Sequence, residues 1–193
     1  VNRISIGIQT LDKKLLEKIN RDFDYDKFID NYKYLKQVIP NVNFDVMYAI
    51  PSQTIDSLKE TLTKLIESEP THFSIYSLIL EEKTIFYNEF IKGNLELVSE
   101  ELELEMGKLI HQWLGDKYPQ YEVSNYSLKG YESRHNLVYW NAKEYYGFGL
   151  GAHGYRHGVR YENTRSINKY FEGKFLLKEE ILSKEDDMAN ELM

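Results

Sequence analysis

The sequence predicts an α/β fold, because strand-like and helix-like segments alternate along its first half. Three segments alternate apolar with small or polar residues, as half-buried strands do, and they begin at Arg3, Val42 and His72. Helical segments separate them, and strands connected through helices form right-handed crossovers. We therefore expect a parallel sheet, either open or curled into a barrel. No glycine-rich loop follows these strands, which argues against a nucleotide-binding Rossmann domain.

The first strand and the helices after it carry their own start signals. Arg3 to Ile8 combines β-branched residues with period-two alternation. Asp12 is a suitable N-cap for a first helix, and a second helix is predicted to begin near Asp24. The second helix has one apolar face, formed by Phe28, Tyr32, Leu35 and Ile39.

The second and third strands flank one further helix. Val42 to Tyr48 is strand-like, and a loop at Pro51 to Gln53 follows it. Thr54 begins a helix, and the helix ends before Pro70. The third strand is then His72 to Leu78. The helix has its apolar residues at helical spacing, at Leu58, Leu62, Leu65 and Ile66.

The pattern changes after Gly93. Leu97 to Trp113 has the spacing of a long amphipathic helix, whose acidic run is predicted to be its solvated face. A stretch rich in aromatic residues and glycine, Tyr121 to Tyr161, predicts short antiparallel strands and loops. Lys169 to Phe175 is predicted to end a helix, and from Lys178 the chain becomes charged and helical, like the start of another domain.

Composition excludes several classes of protein. The net charge of −7 argues against a nucleic-acid-binding surface, which needs a concentrated basic face. No apolar run approaches the roughly 20 residues that span a bilayer, and no secretory leader is visible, so we expect a cytoplasmic protein that does not span a membrane. The chain has no cysteine, which excludes disulfides and any thiolate-held metal or cluster within it.

Three polar residues lie at or after the ends of predicted strands. Gln9 and Asp45 lie at strand ends, and Arg21 lies in the connection after the first strand. Together an amide, a guanidinium and a carboxylate suit a polar small molecule, such as a cofactor that carries an amino acid or a ribose. On the residues alone, a solvated Arg21 and a loop-capping Asp45 is the simpler interpretation, since polar residues are common at strand ends.

A second candidate site lies in the aromatic stretch. His135, Tyr139 and Trp140 place an imidazole, a phenol and an indole within six residues. A histidine nitrogen can ligate heme iron, and aromatic rings can pack on a macrocycle. The alternative is a buried histidine with two core aromatics. His153 and His157 lie in a glycine-rich turn without a convincing third metal ligand, and His72 and His111 are predicted to be structural.

The motifs in their order and spacing resemble the radical-SAM family that includes oxygen-independent coproporphyrinogen III oxidase, and the later motifs resemble its HemW-type branch in particular. The resemblance covers nearly the whole chain. It rests first on Asn2–Thr10, Asn20–Arg21, Asp45–Thr54 and Ser74–Leu78, and then on Ser133–Trp140 and Gly149–His153.

The resemblance implies a partial β/α barrel followed by a small α+β extension. It divides the chain into the later half of the barrel (1–92), an extension of a helix and short strands (93–177) and a truncated helical domain (178–193). Gln9, Arg21 and Asp45 match residues that hold S-adenosylmethionine in the oxidase. The family's 4Fe-4S cluster is held by a Cys-x3-Cys-x2-Cys motif, which is expected ahead of Val1 in the full-length protein.

The HemW-type branch is associated with heme binding and delivery. The resemblance implies that His135, Tyr139 and Trp140 bind heme, with His135 as the iron ligand, and that the partners are heme-accepting proteins and, for the full-length protein, an electron donor. The alternatives are the oxidase itself, which decarboxylates coproporphyrinogen III, and a barrel remnant without a ligand. No catalytic residue is assigned, and without cluster cysteines this chain alone is expected to be inactive as an enzyme.

The sequence departs from the family pattern at two places. The usual Gly-Leu-Pro-Gly-Gln-Thr is Ala49-Ile50-Pro51-Ser52-Gln53-Thr54 here, so two glycines are replaced. Phe23 stands where a histidine is often found. Neither change removes a proposed cofactor contact.

Overall fold

The structure is a computed structural model that describes residues 1–183, and it divides into two compact units, 1–132 and 133 onward. The first unit comprises β1 (Ile4–Gln9), α1 (Lys13–Lys18), α2 (Tyr25–Val38), β2 (Val42–Tyr48), α3 (Ile55–Glu67), β3 (His72–Ser77), α4 (Ile85–Ile91), α5 (Glu100–Leu114) and β4 (Asn125–Ser127). The second comprises α6 (Arg134–Trp140), β5 (His153–Arg156), β6 (Val159–Asn163), α7 (Ile167–Phe171) and β7 (Leu176–Ile181).

The first unit contains a four-stranded sheet in the order β1-β2-β3-β4. The first three strands are parallel and helices connect them, which confirms the predicted α/β fold with a parallel sheet. The short strand β4 returns antiparallel to β3 and closes this edge. Because α5 leads into β4, the helix after Gly93 packs in the same unit as the parallel strands.

The two faces of this sheet differ in chemistry because successive side chains of a strand point to opposite faces. On one face, apolar side chains from the strands pack against helices α2, α3 and α5. Phe44 at the centre has 0% exposure and contacts the rings of Phe28 and Phe73 edge-on. The helices add the buried side chains of Leu58, Leu62, Leu65, Met106, Ile110 and Leu114 to this core.

Helices α1, α2 and α3 begin at the residues that the sequence predicts, whereas α5 begins at Glu100, three residues after the predicted start. The Asp12 side chain accepts from the backbone N–H of Lys14, and Asp24 accepts from that of Lys27. Thr54 caps α3 in the same way. Each cap satisfies a backbone donor that has no partner within the helix, which fixes where the helix starts.

The second unit contains an antiparallel sheet in the order β5-β6-β7. The predicted helix from Lys178 is wrong at its beginning, because Lys178 to Ile181 belong to strand β7. Opposite charges explain the strand, since Glu162 lies across from Lys178 and Arg160 across from Glu180. The rest of that predicted helical domain lies outside the described residues.

Two short helices were not predicted from the sequence. Helix α4 follows β3, and helix α6 interrupts a stretch for which strands and loops were expected. Each has seven residues, too few for a clear helical periodicity. The helix predicted to end at Phe175 ends earlier, at Phe171. Within residues 1–183, no helix combines the length and the apolar character needed to cross a bilayer.

The loop after β2 is strained at the two positions where the family pattern has glycine. Ala49 has φ 57° and Ser52 has φ 71°, in the left-handed region that favours glycine. Hydrogen bonds hold the loop in this shape. The Gln53 side chain accepts from the backbone N–H of Ile50 at 3.2 Å, and Lys18 Nζ donates to the Pro51 carbonyl at 3.3 Å and to the Ser52 hydroxyl.

The strain at Ser52 predicts that glycine stabilises this loop. Ser52→Gly is expected to raise the free energy of unfolding by about 0.5 kcal/mol, because relief of the positive φ outweighs the loss of one exposed hydrogen bond. Ser57→Gly, within α3, is the matched control and is expected to lower it by about 0.5–1 kcal/mol. Urea denaturation of both variants measures this, and a less stable Ser52→Gly would contradict it.

Candidate functional site

A cleft of about 780 Å³ lies at the carboxyl ends of the three parallel strands. Gln9 at the end of β1, Met47 near the end of β2 and Tyr76 near the end of β3 contribute to its wall. The connection after β3, including Ile79, lines another side, and Arg21 comes from the loop after α1. Loops at the carboxyl ends of parallel strands are the usual position of ligand sites in α/β folds.

Gln9 is held in an unusual backbone conformation that turns its side chain into this cleft. Its φ is 69°, and the register between β1 and β2 shifts between Gly7 and Gln9. The residue is only 5% exposed. The hydroxyl of Tyr76 donates to Gln9 Oε1 at 3.1 Å, which fixes the orientation of the amide. Because its oxygen is anchored in this way, the direction in which the Gln9 Nε2 donor points is also fixed.

Arg21 reaches the same point from the other side. Asn20 has φ 53°, and the backbone N–H of Arg21 bonds to the Leu16 carbonyl at 2.9 Å, so a tight turn ends α1 and directs the chain back. A Cβ added at Gly7 would lie 3.1 Å from Gln9 Nε2 and 3.6 Å from Arg21 Nη1. The amide and the guanidinium therefore converge over Gly7, where the absence of a side chain leaves room for both.

Asp45 lies beside this point on the neighbouring strand, since its Cα pairs with that of Gly7. The side chain is half-buried, and Asn43 Nδ2 donates to Asp45 Oδ1 at 2.7 Å. Burial raises the pKa of the Asp45 carboxyl, while bonds from Asn43 and Ser74 and the charges of Arg3 and Arg21 oppose that rise. The structure thus brings the three predicted residues together and supports the carboxylate with donors and positive charges. The prediction that Asp45 lies at a strand end is wrong, because β2 continues three residues beyond it to Tyr48.

The polar face of the sheet consists of cross-strand rows that the sequence analysis missed. One row crosses all four strands at Ser5, Asn43, His72 and Ser127, and the next at Gly7, Asp45, Ser74 and Asn125. The signal was present in each strand, because these polar residues alternate with the buried apolar ones. Their partnership depends on the register between strands, which a single sequence does not specify.

His72 is the most deeply buried member of these rows, with 0% exposure. Its Nδ1 lies 2.6 Å from Asn43 Oδ1 and its Nε2 lies 2.8 Å from the Tyr121 hydroxyl, so both ring nitrogens are occupied. Burial lowers the pKa of His72 to about 3, and the nearby positive charge of Arg3 adds to the effect. The ring is therefore neutral under physiological conditions.

The second candidate site lies on α6, whose first turn is capped by the Ser133 hydroxyl at 3.4 Å from the backbone N–H of Asn136. The helix places His135 and Tyr139 on one face, with the rings edge-on and the Tyr139 hydroxyl 2.9 Å from His135 Nε2. The ring of Tyr145 contacts Tyr139 with centroids 4.5 Å apart. The side chains are accessible rather than buried, since Tyr139 and Trp140 are each 45% exposed.

The remaining histidines of this unit do not form a metal centre in the part of the chain that the structure describes. His157 Nδ1 lies 3.2 Å from Glu144 Oε1, and its Nε2 lies 3.1 Å from the Arg156 guanidinium. His153 is exposed at the start of β5. No group of three histidine, cysteine or carboxylate side chains within residues 1–183 is arranged to hold a metal ion.

Comparison with known proteins identifies the family that this chain resembles. Residues 1–65 match the Radical SAM superfamily model. The chain is 40% identical over its whole length to a heme chaperone HemW of Lactococcus lactis, covering 52% of it, and 38% identical over 89% of its length to a heme chaperone HemW of Bacillus subtilis, covering 46% of that protein. The chain thus spans about half the length of these curated relatives.

A solved structure has the same fold. It is the coproporphyrinogen III oxidase HemN of Escherichia coli, described as a radical SAM enzyme, with a TM-score of 0.79 over 99% of this chain and 48% of that one. At 16% sequence identity the likeness is one of fold. It confirms the expectation that the chain contains part of a radical-SAM-type β/α barrel.

The neutral state of His72 predicts a pH dependence of stability. Its folded pKa of about 3 lies below the ordinary 6.5, so between these values the unfolded chain binds a proton that the folded chain does not. The free energy of unfolding should therefore fall by about 1.4 kcal/mol for each pH unit below about 6.5. The raised pKa of Asp45 acts in the opposite direction, because the folded form keeps its proton to higher pH than the unfolded form.

Comparison with His72→Asn isolates the histidine contribution. Urea denaturation at about pH 7.5 and about pH 5 should show a loss of stability that is about 2 kcal/mol larger in the wild type than in His72→Asn. His111→Asn, on the surface of α5, should lose stability as the wild type does. Equal losses in the wild type and His72→Asn would contradict a buried neutral His72.

Proposed function

Since the chain belongs to the HemW-type group of the radical SAM superfamily, we propose that it forms part of a protein that binds heme and passes it to acceptor proteins. The observation that carries this proposal is α6, where the exposed His135 imidazole contacts Tyr139 and the Tyr139 and Trp140 rings are each 45% exposed. Heme is a flat, mostly apolar ligand that needs an axial ligand and apolar contact surface. Helix α6 offers both within seven residues.

His135 is the proposed iron ligand, and its present bond to Tyr139 is compatible with that role. The bond lies on an exposed helix face, so its net contribution to stability is small. The Tyr139 hydroxyl can rotate towards water and leave the Nε2 lone pair available. Tyr139 and Trp140 would then supply aromatic surface that heme covers, which accounts for two large apolar side chains left half exposed.

The cleft of the first unit is the proposed site of S-adenosylmethionine. Arg21 and Gln9 line the cleft, and Asp45 lies beside them, paired with Gly7 on the neighbouring strand. The Arg21 guanidinium suits the carboxylate of the methionine part, the Asp45 carboxylate suits ribose hydroxyls, and the anchored Gln9 amide would donate to a polar atom between them. When bound to a reduced 4Fe-4S cluster, S-adenosylmethionine supplies radical chemistry. Such a cluster, and the electron donor that would reduce it, would depend on residues outside this chain, which has no cysteine.

The oxidase remains a weaker alternative for the complete protein. Its support is the shared fold, and folds of this kind serve several chemistries. The heme-chaperone proposal has support from relatives of much higher sequence identity. The complete protein is proposed to act in the cytoplasm, to transfer heme to acceptor proteins and not to bind nucleic acid.

Titration of hemin into this chain tests the heme proposal. Following the Soret band, we expect saturable binding that is weakened roughly tenfold or more in His135→Ala, because loss of an axial ligand removes the strongest contact. His157→Ala is the matched control, since His157 is also exposed and lies in the same unit, and it should bind as the wild type does.

A Tyr139→Phe variant sharpens the test. It keeps the aromatic ring but releases His135 Nε2, so hemin should bind with equal or higher affinity. Weakening in Tyr139→Phe but not in His135→Ala would identify the phenol as the ligand. Equal affinity in all variants would contradict a site on α6, and no binding to the wild type would favour a barrel segment without its own heme ligand.

A further inference from the structure

A line of three hydrogen bonds connects Tyr121, outside the sheet, to the carboxylate of Asp45. The Tyr121 hydroxyl lies 2.8 Å from His72 Nε2, and His72 Nδ1 lies 2.6 Å from Asn43 Oδ1. Asn43 Nδ2 then lies 2.7 Å from Asp45 Oδ1. The four residues come from two strands and from the loop before β4, so the line depends on the folded sheet.

The donors and acceptors in this line have a single consistent direction. Asn43 Oδ1 can only accept, so His72 Nδ1 must carry the proton. In the neutral ring Nε2 is then an acceptor, so the Tyr121 hydroxyl donates to it. At the other end, the Asn43 amide donates to Asp45, which accepts. Each group therefore fixes the orientation or tautomer of the next.

The opposite arrangement is unfavourable at both ends. A flipped Asn43 would place its oxygen against the Asp45 carboxylate and its NH₂ group against the His72 Nδ1–H. Neighbouring hydroxyls reinforce the observed orientation, because Ser5 Oγ accepts from Asn43 Nδ2 at 3.1 Å and Ser74 Oγ lies 3.3 Å from Asn43 Oδ1. Removing the Tyr121 hydroxyl would leave His72 Nε2 without its donor, so that the ring would be held at Nδ1 alone and could move more freely.

We propose that Tyr121, His72 and Asn43 are positioning residues, which together hold the Asp45 carboxylate in the orientation that binds ligand in the first unit. The proposal rests on the assignment of that site to S-adenosylmethionine and deepens it. None of the three residues lines the cleft. Asp45 lies beside the cleft, paired with the Gly7 over which Gln9 and Arg21 converge, so the three residues would act through Asp45 rather than by contact. Arg3 and Arg21 are the charged groups that act on Asp45, and His72 transmits orientation while remaining neutral.

The first experiment compares the wild-type chain with Tyr121→Phe, with S-adenosylhomocysteine as the probe. Calorimetry should show binding that is about threefold to tenfold weaker in Tyr121→Phe, as expected for one lost hydrogen bond in a buried line. Imidazole ¹⁵N spectra should show the Nδ1–H tautomer for His72 in the wild type, and the Nε2 resonance should shift in the variant because it loses its hydrogen bond. The ¹³Cγ resonance of Asp45 should shift as well.

Tyr25→Phe serves as the control, since it removes a partly buried hydroxyl from a bond to the Lys64 carbonyl, away from Asp45. It should match the wild type in affinity and in both spectra. A second pair of variants tests the middle of the line. His72→Asn retains an N–H donor near the position of Nδ1, so its affinity should stay close to that of the wild type. His72→Leu removes this donor, so it should bind more weakly.

The outcomes distinguish the positioning role of these residues from the proposed S-adenosylmethionine site itself. Unchanged His72 and Asp45 spectra with unchanged affinity in Tyr121→Phe would overturn the positioning role while leaving the ligand site intact. Failure of the wild-type chain to bind S-adenosylhomocysteine would overturn the ligand site itself, together with any positioning role towards it. Equal affinity in His72→Asn and His72→Leu would also overturn the positioning role.

Discussion

The structure depends on a sheet with one apolar face and one polar face. Helices α2, α3 and α5 cover the apolar side and complete the core around Phe44. The other face carries rows of polar side chains, several of them buried. Because a buried polar group without a partner is strongly destabilising, most of these side chains bond to one another, although the buried Ser127 hydroxyl has no partner. The bonds among Asn43, His72 and Tyr121 follow from that requirement, and they lead towards the residues of the cleft.

Much of the first unit follows from local sequence. Strands and helix starts were predictable because alternation and N-caps such as Asp12 and Thr54 act over a few residues. The contacts of Asn43 and His72 were not, because they arise from strand register. The convergence of Gln9 and Arg21 also required the fold, since it depends on positive φ angles at Gln9 and Asn20.

The second unit was harder to predict because its elements are short and its pairings are not local. Helix α6 has only seven residues, in a region where aromatic residues and glycines favour strands. The charged residues of β7 are typical of a helix, yet they pair across the sheet with charges of opposite sign on β6. The local spacing of His135 and Tyr139 is nevertheless a helical signal, since residues four apart share a face.

The two proposed sites differ in the physics of recognition. The cleft of the first unit offers anchored polar groups, half-buried charge and a glycine that leaves room, as a polar cofactor requires. Helix α6 offers exposed aromatic surface and an imidazole, as a flat apolar ligand requires. Each unit is therefore proposed to recognise a ligand of its own.

Hydrogen–deuterium exchange of this chain, measured with S-adenosylmethionine and separately with hemin, tests that claim most directly. S-adenosylmethionine should slow amide exchange around Gln9, Arg21 and Asp45 and leave α6 unchanged. Hemin should slow exchange across Arg134–Trp140 and leave the cleft unchanged. Protection of the same segments by both ligands, or protection of α6 by S-adenosylmethionine, would contradict the assignment of one ligand to each unit.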